Sequence, residues 1–126
     1  MTRITLIVQS YAGLIAHDLF MSRHDFASLH QHVKAFPVRQ VMADSSVTEA
    51  VASALDVACC FYPRRALCLQ RSVVLVKMLR RRGIPAQMVI GAQKLPFRSH
   101  AWVEVEGQII NDHLATREKF LRLEVC

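Results

Sequence analysis

Apolar residues recur every three to four positions through the first two thirds of the chain, the spacing of helices that bury one face. Four helices are predicted, over residues 4–20, 24–36, 46–60 and 67–82. Ser46 and Glu49 have the spacing of a capping box at the start of the third helix. Gly83 is a natural C′ residue after the fourth helix, and Pro85 cannot continue it.

A stripe of apolar side chains runs along the first predicted helix, at Ile4, Val8, Tyr11, Ile15 and Leu19. The uncharged run 4–16 could be the apolar region of a signal peptide, but the stripe favours an ordinary amphipathic helix. The run is also shorter than the roughly 20 residues that a membrane-spanning helix needs. We therefore expect no membrane association.

The last third of the chain has the composition of strands. Strands are predicted over residues 86–92, 100–105 and 108–112. Residues 93–99, which include Pro96, are predicted as a loop, and residues 113–123 as a loop or short helix with room for one further strand. Helices followed by a small antiparallel sheet form an α+β order. A chain of 126 residues is expected to fold as one domain.

Three residues stand in the order nucleophile, base and orienter: Cys68, His100 and Asp112. Cys68 opens the fourth helix, where the positive end of the helix dipole favours the thiolate. His100 opens a strand, and its imidazole could hold the thiolate and later protonate a leaving amine. Asp112 ends the next strand and could fix the imidazole tautomer. The oxyanion donors are predicted to be the Cys68 backbone N–H and a side chain, with Gln70 and Tyr62 both open.

A hairpin could place His100 and Asp112 on one face, because strand side chains alternate with period two. We predict that residue 100 pairs with 112, 102 with 110 and 104 with 108. Residues 105–107 would then form a three-residue loop that ends in Gly107. The same alternation puts Trp102 on the face of His100, where it either shields the His–Asp pair from water or belongs to the core.

The candidate residues also have plainer interpretations. A lone buried cysteine is usually a small hydrophobe, and a strand histidine is usually structural. His113 stands beside Asp112 and competes for the role of base, although strand parity favours His100. Ser72 lies one helical turn after Cys68, but a helix serine more often bonds its own backbone.

The net charge of +6 is unevenly distributed. Residues 57–103 contain nine basic and no acidic residues, and the rest of the chain carries −3. Such a positive field would favour a thiolate and attract an acidic partner. A nucleic acid is the generic partner of a basic surface, but no recognition motif accompanies the charge, so none is expected. Part of the charge, at residues 80–82, also fits the last turn of a helix, where cations are favoured.

The cysteines and histidines predict a chain without disulfides or metal. Cys59 and Cys60 are adjacent and could pair with each other only under strain, and the four cysteines lack the spacing of a secreted framework. We therefore expect a reducing cytoplasm. The four histidines between residues 17 and 32 have no cysteine or carboxylate at a spacing that completes a ligand set, so no metal or other cofactor is expected.

Several blocks of this sequence resemble, in order, the leader-peptidase component of lasso-peptide biosynthesis. The most specific blocks are Cys-Leu-x-x-Ser at 68–72, Arg-Arg-x-Gly at 80–83 and His-Ala-Trp-Val-Glu at 100–104. Together with residues 61–67, 89–91 and 96–97, the resemblance covers about residues 45–122. It implies a transglutaminase-like, papain-related cysteine-protease fold, in which the nucleophile helix packs on the sheet. The nucleophile, histidine and aspartate of the family fall on Cys68, His100 and Asp112.

The resemblance also implies a function. Such an endopeptidase cleaves a lasso-peptide precursor just after a leader with a threonine near its end, and hands the core to an ATP-dependent, asparagine-synthetase-like cyclase. Residues 1–44 are too few for the N-terminal leader-recognition domain of fused members, so we expect a helical extension before a catalytic core at 45–126. A separate leader-recognition protein is then the expected partner. A transglutaminase-like acyl transferase and a non-catalytic basic binding module stay open as alternatives.

Overall fold

The computed structural model describes residues 3–38, 45–64, 66–94, 97–110 and 120–126. The described helices are α1 (Arg3–Met21), α2 (Phe26–Ala35), α3 (Ser45–Phe61) and α4 (Cys68–Arg81). The described strands are β1 (Ala86–Lys94), β2 (Phe97–Val105), β3 (Gln108–Ile109) and β4 (Leu121–Val125). The strands form one antiparallel sheet in the order β3-β2-β1-β4. The predicted α+β order is confirmed.

α4 is the central helix of the fold. It packs against α1 and α3 and also against β1 and β2. Ser72, Leu75 and Leu79 are fully buried, and Cys68 at the head of the same stripe is half-buried. The stripe predicted from their spacing therefore faces the core.

The sequence predicted the end of α4 correctly and the start of α3 less well. α4 ends as expected, because Gly83 has φ 81° and its N–H donates to the Arg80 carbonyl at 3.1 Å. The Ile84 N–H donates to the Leu79 carbonyl at 3.0 Å, which completes a Schellman motif. The start of α3 was predicted one residue late: the helix already includes Ser45, so Ser46 lies inside it.

The hairpin of β1 and β2 is longer than predicted. Its ladder continues to the pair Lys94–Phe97, so most of the segment predicted as a loop, residues 93–99, is strand. The prediction gave too much weight to Pro96. A proline cannot donate a ladder hydrogen bond itself, but the residues on either side of it can still be strand.

The predicted register of the second hairpin is wrong by one residue. Glu104 pairs with Ile109 and Val105 with Gln108, so the turn has two residues rather than three. Glu106 and Gly107 have φ values of 51° and 80°, the positive values that a tight two-residue hairpin turn requires. The sequence Glu-Gly was too weak a turn signal to distinguish the two loops. The argument that placed Asp112 opposite His100 rested on this register and therefore fails.

The two faces of the sheet carry separate apolar clusters. Met88 and Val103 belong to the main core together with the helices. Val89, Trp102 and Ile109 form a second cluster, against which Phe120 packs. Since strand side chains alternate, His100 and Glu104 share the second face with Trp102.

The apolar stripe of α1 is not the face that the helix buries. Leu6, Ser10 and Leu14 point into the core, whereas Val8 and Leu19 of the stripe are 61% and 65% exposed. At 19 residues, α1 is also long and apolar enough to cross a membrane by length and composition, contrary to the expectation from its uncharged run. This is weak evidence for a span, because core helices and N-terminal signal sequences pass the same test.

Candidate active site

Cys68 is the first residue of α4. Leu67 precedes it as the N-cap in an extended conformation, with φ −82° and ψ 169°, and no side chain caps this described helix end. The first backbone hydrogen bond of the helix runs from the Arg71 N–H to the Leu67 carbonyl at 3.0 Å. The N–H groups at and just after Cys68 precede that bond, so they point out of the helix end beside the thiol. Backbone N–H groups in this position can stabilise an oxyanion.

The two side chains considered as oxyanion donors both donate to α1, Gln70 from α4 and Tyr62 from the position after α3. The Gln70 side-chain amide donates to the Leu14 carbonyl at 3.0 Å, and the Tyr62 hydroxyl donates to Asp18 and lies 3.3 Å from the same carbonyl. Burial and the hydrogen bond to Asp18 raise the pKa of Tyr62 to about 12. Tyr62 therefore stays a neutral donor at neutral pH, and both residues fix the position of the helix end rather than serve the thiol directly.

His100 lies in β2, opposite Gly91 of β1. Its half-buried ring is flanked by two aromatic side chains on the same face of the sheet. The centroid of the imidazole is 6.0 Å from the Trp102 ring and 5.4 Å from the Phe120 ring. Trp102 is fully buried, which confirms its predicted position on the face of His100.

By ideal helix and strand rises, Cys68 and His100 are at similar distances from the contact that joins the end of α4 to the start of β1. The Arg80 guanidinium donates to the Ala86 carbonyl at 2.9 Å, which ties the last turn of α4 to the start of β1. From Arg80 back to Cys68, α4 rises about 18 Å at 1.5 Å per residue. From Ala86 to Gly91, β1 extends about 17 Å at 3.3 Å per residue, and Gly91 pairs with His100. α4 packs against β1 and β2, but His100 shares the sheet face of Trp102, opposite the face that packs on the helices. The contact of thiol with imidazole therefore stays a prediction.

A comparison with known protein families identifies the fold family of the chain. Residues 12–125 match the family described as the transglutaminase-like superfamily. The chain belongs to this superfamily.

A second comparison identifies a relative of this transglutaminase-like chain. It is 50% identical over 52 residues to the microcin J25-processing protein McjB of Escherichia coli. The aligned segment covers 41% of this chain and 25% of the relative, so the similarity spans about a quarter of that protein. No solved structure matches the chain significantly. The family match and the relative confirm the resemblance and the fold that the sequence predicted.

The third candidate of the transglutaminase-like chain cannot be placed. Asp112 lies outside the described residues, as does its neighbour His113. The observed hairpin register no longer supports Asp112, and its role as orienter stays a prediction from the resemblance alone. Among the described residues, no group of three or more His, Cys, Asp and Glu side chains is arranged to hold a metal ion.

In the part of the chain that the structure describes, at least three of the nine basic residues of the segment 57–103 make hydrogen bonds or ion pairs within the protein. Arg80 is buried and donates to backbone carbonyls, and burial lowers its pKa. Arg82 donates to the Gln9 side chain and to the Met78 carbonyl. Arg71, one turn after Cys68, pairs with Asp56 at 2.5 Å. The basic segment is therefore a less uniform surface than its sequence suggested.

Four residues around His100 were not predicted from the sequence: Gly91, Glu104, Phe120 and Arg122. In the sequence, Glu104 was considered only as part of the block 100–104. Its position two residues after Trp102 in a strand already predicts an acidic side chain on the face of His100. Gly91 and Arg122 become relevant only through the pairing of β1 with β2 and β4. That pairing cannot be read from local pattern.

Proposed function

We propose that this chain is a cysteine endopeptidase that removes the leader from a lasso-peptide precursor. The observation that carries the proposal is the position of Cys68 at the start of α4, where no side chain caps the backbone N–H groups, in a helix that packs against the strand of His100. Membership of the transglutaminase-like superfamily and the similarity to a microcin J25-processing protein support it. A reducing cytoplasm belongs to the proposal, because the nucleophile has to stay a free thiol.

The proposed reaction runs through a thioester. The Cys68 thiolate attacks the carbonyl carbon of the scissile bond, and the backbone N–H groups at the start of α4 donate to the oxyanion that forms. His100 gives a proton to the leaving amine as the C–N bond breaks. Water, deprotonated by His100, then attacks the thioester carbonyl. The C–S bond breaks, the leader leaves as a carboxylic acid and Cys68 is restored as the thiolate. Asp112 is proposed to hold the imidazole in the required tautomer.

Substitution of the base and of its orienter should affect cleavage to different extents. His100→Ala is expected to be nearly inactive, because neither the thiolate nor the leaving amine then has its proton partner. Asp112→Asn should lose up to about 10⁴-fold in kcat, as in triads in which the wrong tautomer is stabilised. Single-turnover cleavage of a precursor, followed by mass spectrometry, measures both. Unchanged turnover in Asp112→Ala would show that another acceptor holds His100.

Hydrolysis and acyl transfer can be distinguished at the thioester. If the chain is an acyl transferase, adding a primary alkylamine should convert most of the cleaved leader to the corresponding N-alkyl amide. For the proposed endopeptidase, the leader carboxylic acid should remain the main product at millimolar amine. The masses of the two leader products separate the two activities in one experiment.

We further propose that a separate leader-recognition protein presents the precursor, and that an asparagine-synthetase-like cyclase receives the core. A partner that holds the leader would raise the local concentration of one bond, into the millimolar range for a short tether. The stripe of α1 that faces solvent is the proposed docking surface, since Val8 and Leu19 expose most of their apolar side chains there.

Val8→Glu should therefore weaken acceleration by the partner about tenfold or more, because it places a charge at an apolar contact. Ala16→Glu is the matched control, since Ala16 is an exposed α1 residue outside the stripe. The rate of Cys68 alkylation should be the same in both variants. Cleavage rates with and without the partner give the comparison. Full-speed, leader-specific cleavage by the isolated wild type would contradict the need for a partner.

A further inference from the structure

Glu104 is a buried carboxylate that the proposed reaction does not use. Only 2% of the residue is exposed. It lies four residues after His100 in β2, on the same face of the sheet. One of its oxygens accepts a hydrogen bond from the Trp102 indole N–H at 2.8 Å. The other oxygen is 3.4 Å from the Arg122 guanidinium, which reaches it from β4. A buried carboxylate is costly unless it is paired, so this arrangement calls for a reason.

The opposite edge of the Trp102 ring lies against the backbone of Gly91. A Cβ atom at Gly91 would lie 2.6 Å from Cη2 and 2.8 Å from Cζ3 of the indole, and 3.0 Å from the Phe120 Cβ. Any larger residue at this position would displace the ring. The indole is thus fixed at one edge by a hydrogen bond to a carboxylate and at the other by contact with a residue that has no side chain.

The fixed indole is part of the wall of His100. Trp102 and Phe120 lie within 6.0 Å and 5.4 Å of the imidazole by ring centroid, and 6.3 Å from each other. Gly91 stands directly opposite His100 in the ladder. A shift of the indole would therefore change both the space available to the imidazole and its exposure to water.

We propose that Glu104 is a positioning residue for His100 and acts through the side chain of Trp102. The proposal rests on the proposed function, in which His100 exchanges protons with Cys68 and the substrate. A carboxylate acceptor makes a shorter and stronger hydrogen bond to the indole than a neutral group would. Arg122 holds the second carboxylate oxygen, so that the group cannot turn away from Trp102. Gly91 supplies the space in which the ring is held.

Two substitutions should displace the indole by different means. Glu104→Met removes the acceptor at similar size, and Gly91→Ala leaves Glu104 in place but intrudes on the ring. Glu104→Gln is the conservative variant, because its side-chain oxygen can still accept the indole hydrogen bond. Gly13→Ala is the matched control for stability, since its Cβ would lie 2.8 Å from Val74 Cγ1 in the main core, which is separate from the cluster of Trp102.

Trp102 is the only tryptophan of the chain and reports on the site without any substrate. A protonated imidazole quenches a neighbouring indole, so emission followed against pH gives the titration of His100 in the wild type. His100→Ala should abolish this titration and identifies its source. Glu104→Met and Gly91→Ala should lose at least about half of its amplitude, whereas Glu104→Gln and Gly13→Ala should retain it.

Precursor cleavage gives the second measurement. Glu104→Met and Gly91→Ala should lower kcat by about tenfold to a hundredfold with KM nearly constant, the effect of a catalytic group displaced by about 1 Å. Glu104→Gln should restore most of kcat. A wild-type titration in Glu104→Met, or an equal loss of titration amplitude in Gly13→Ala, would overturn the positioning role. If Cys68→Ala still cleaves, the proposed function is wrong. The fluorescence titration needs no substrate, so it still tests whether Glu104 positions His100.

Discussion

Cys68→Ala is expected to abolish cleavage of a lasso-peptide precursor, with a loss of about 10⁴-fold or more in kcat. The reason is that no other group at the start of α4 could form the thioester. The fold should persist, because Cys68 is only half-buried and alanine is a good helix residue at a helix start. A denaturation midpoint close to that of the wild type would separate lost chemistry from lost structure.

The other cysteines provide controls for this variant. Cys59 is partly buried, and burial raises the pKa of its thiol, so it stays protonated at neutral pH. Burial also raises the pKa of Cys126. Cys60 is exposed, so it serves as the control for a thiol that is accessible but not catalytic. Cys59→Ala and Cys60→Ala should both retain cleavage.

Alkylation gives a test that needs no substrate. At mildly acidic pH, iodoacetamide should label Cys68 before Cys60, because a catalytic nucleophile at a helix start reacts faster than a cysteine that is merely accessible. Peptide mapping by mass spectrometry measures the two rates in the same sample. Cleavage by Cys68→Ala at the wild-type rate, or faster labelling of Cys60, would rule out Cys68 as the nucleophile. The second outcome would favour a non-catalytic binding module.

The sequence predicted those features of the fold that depend on local pattern. Cys68 was placed at the head of α4 because an apolar stripe and Gly83 define where that helix lies and ends. His100 and Trp102 were placed on one face because strand alternation is a local property. The register of the β2–β3 hairpin was not predictable in the same way, since Glu106 and Gly107 fit either a two-residue or a three-residue loop.

The sequence could not predict features that depend on which elements meet. The stripe of α1 has the period of a buried face, yet the helix buries a different face through Leu6 and Leu14. Both faces of α1 are apolar, and only packing against α3 and α4 decides between them. Likewise, Glu104 gains its partner Arg122 through the position of β4 at the far edge of β1, a pairing between segments far apart in sequence.

Arg80 shows most clearly how the structure changes an experiment designed from sequence. As part of the basic segment that is expected to attract an acidic partner, Arg80 would be an obvious position for charge reversal in a test of docking. In the structure, it is 5% exposed and its guanidinium donates to four main-chain oxygens. These belong to Ala86, Val33, Phe36 and Cys126, at 2.9, 2.6, 3.1 and 2.6 Å. The side chain thus joins α2, the start of β1 and the residue after β4.

Arg80→Met is therefore expected to lower the free energy of unfolding by about 3–5 kcal/mol, because it leaves several buried oxygens without a donor. That is a large part of the roughly 5–15 kcal/mol that stabilises a typical domain. Arg81→Met is the matched control: Arg81 is exposed and stacks on Phe36 at 5.3 Å, an interaction worth about 0.5–1 kcal/mol at such a site. Arg80→Lys should fall between the two, since one ammonium group cannot reach four oxygens in different directions. Urea denaturation followed by circular dichroism measures all three variants. If Arg80→Met unfolds within about 1 kcal/mol of Arg81→Met, the guanidinium does not hold these elements together, and charge reversal at Arg80 becomes a valid test of docking after all.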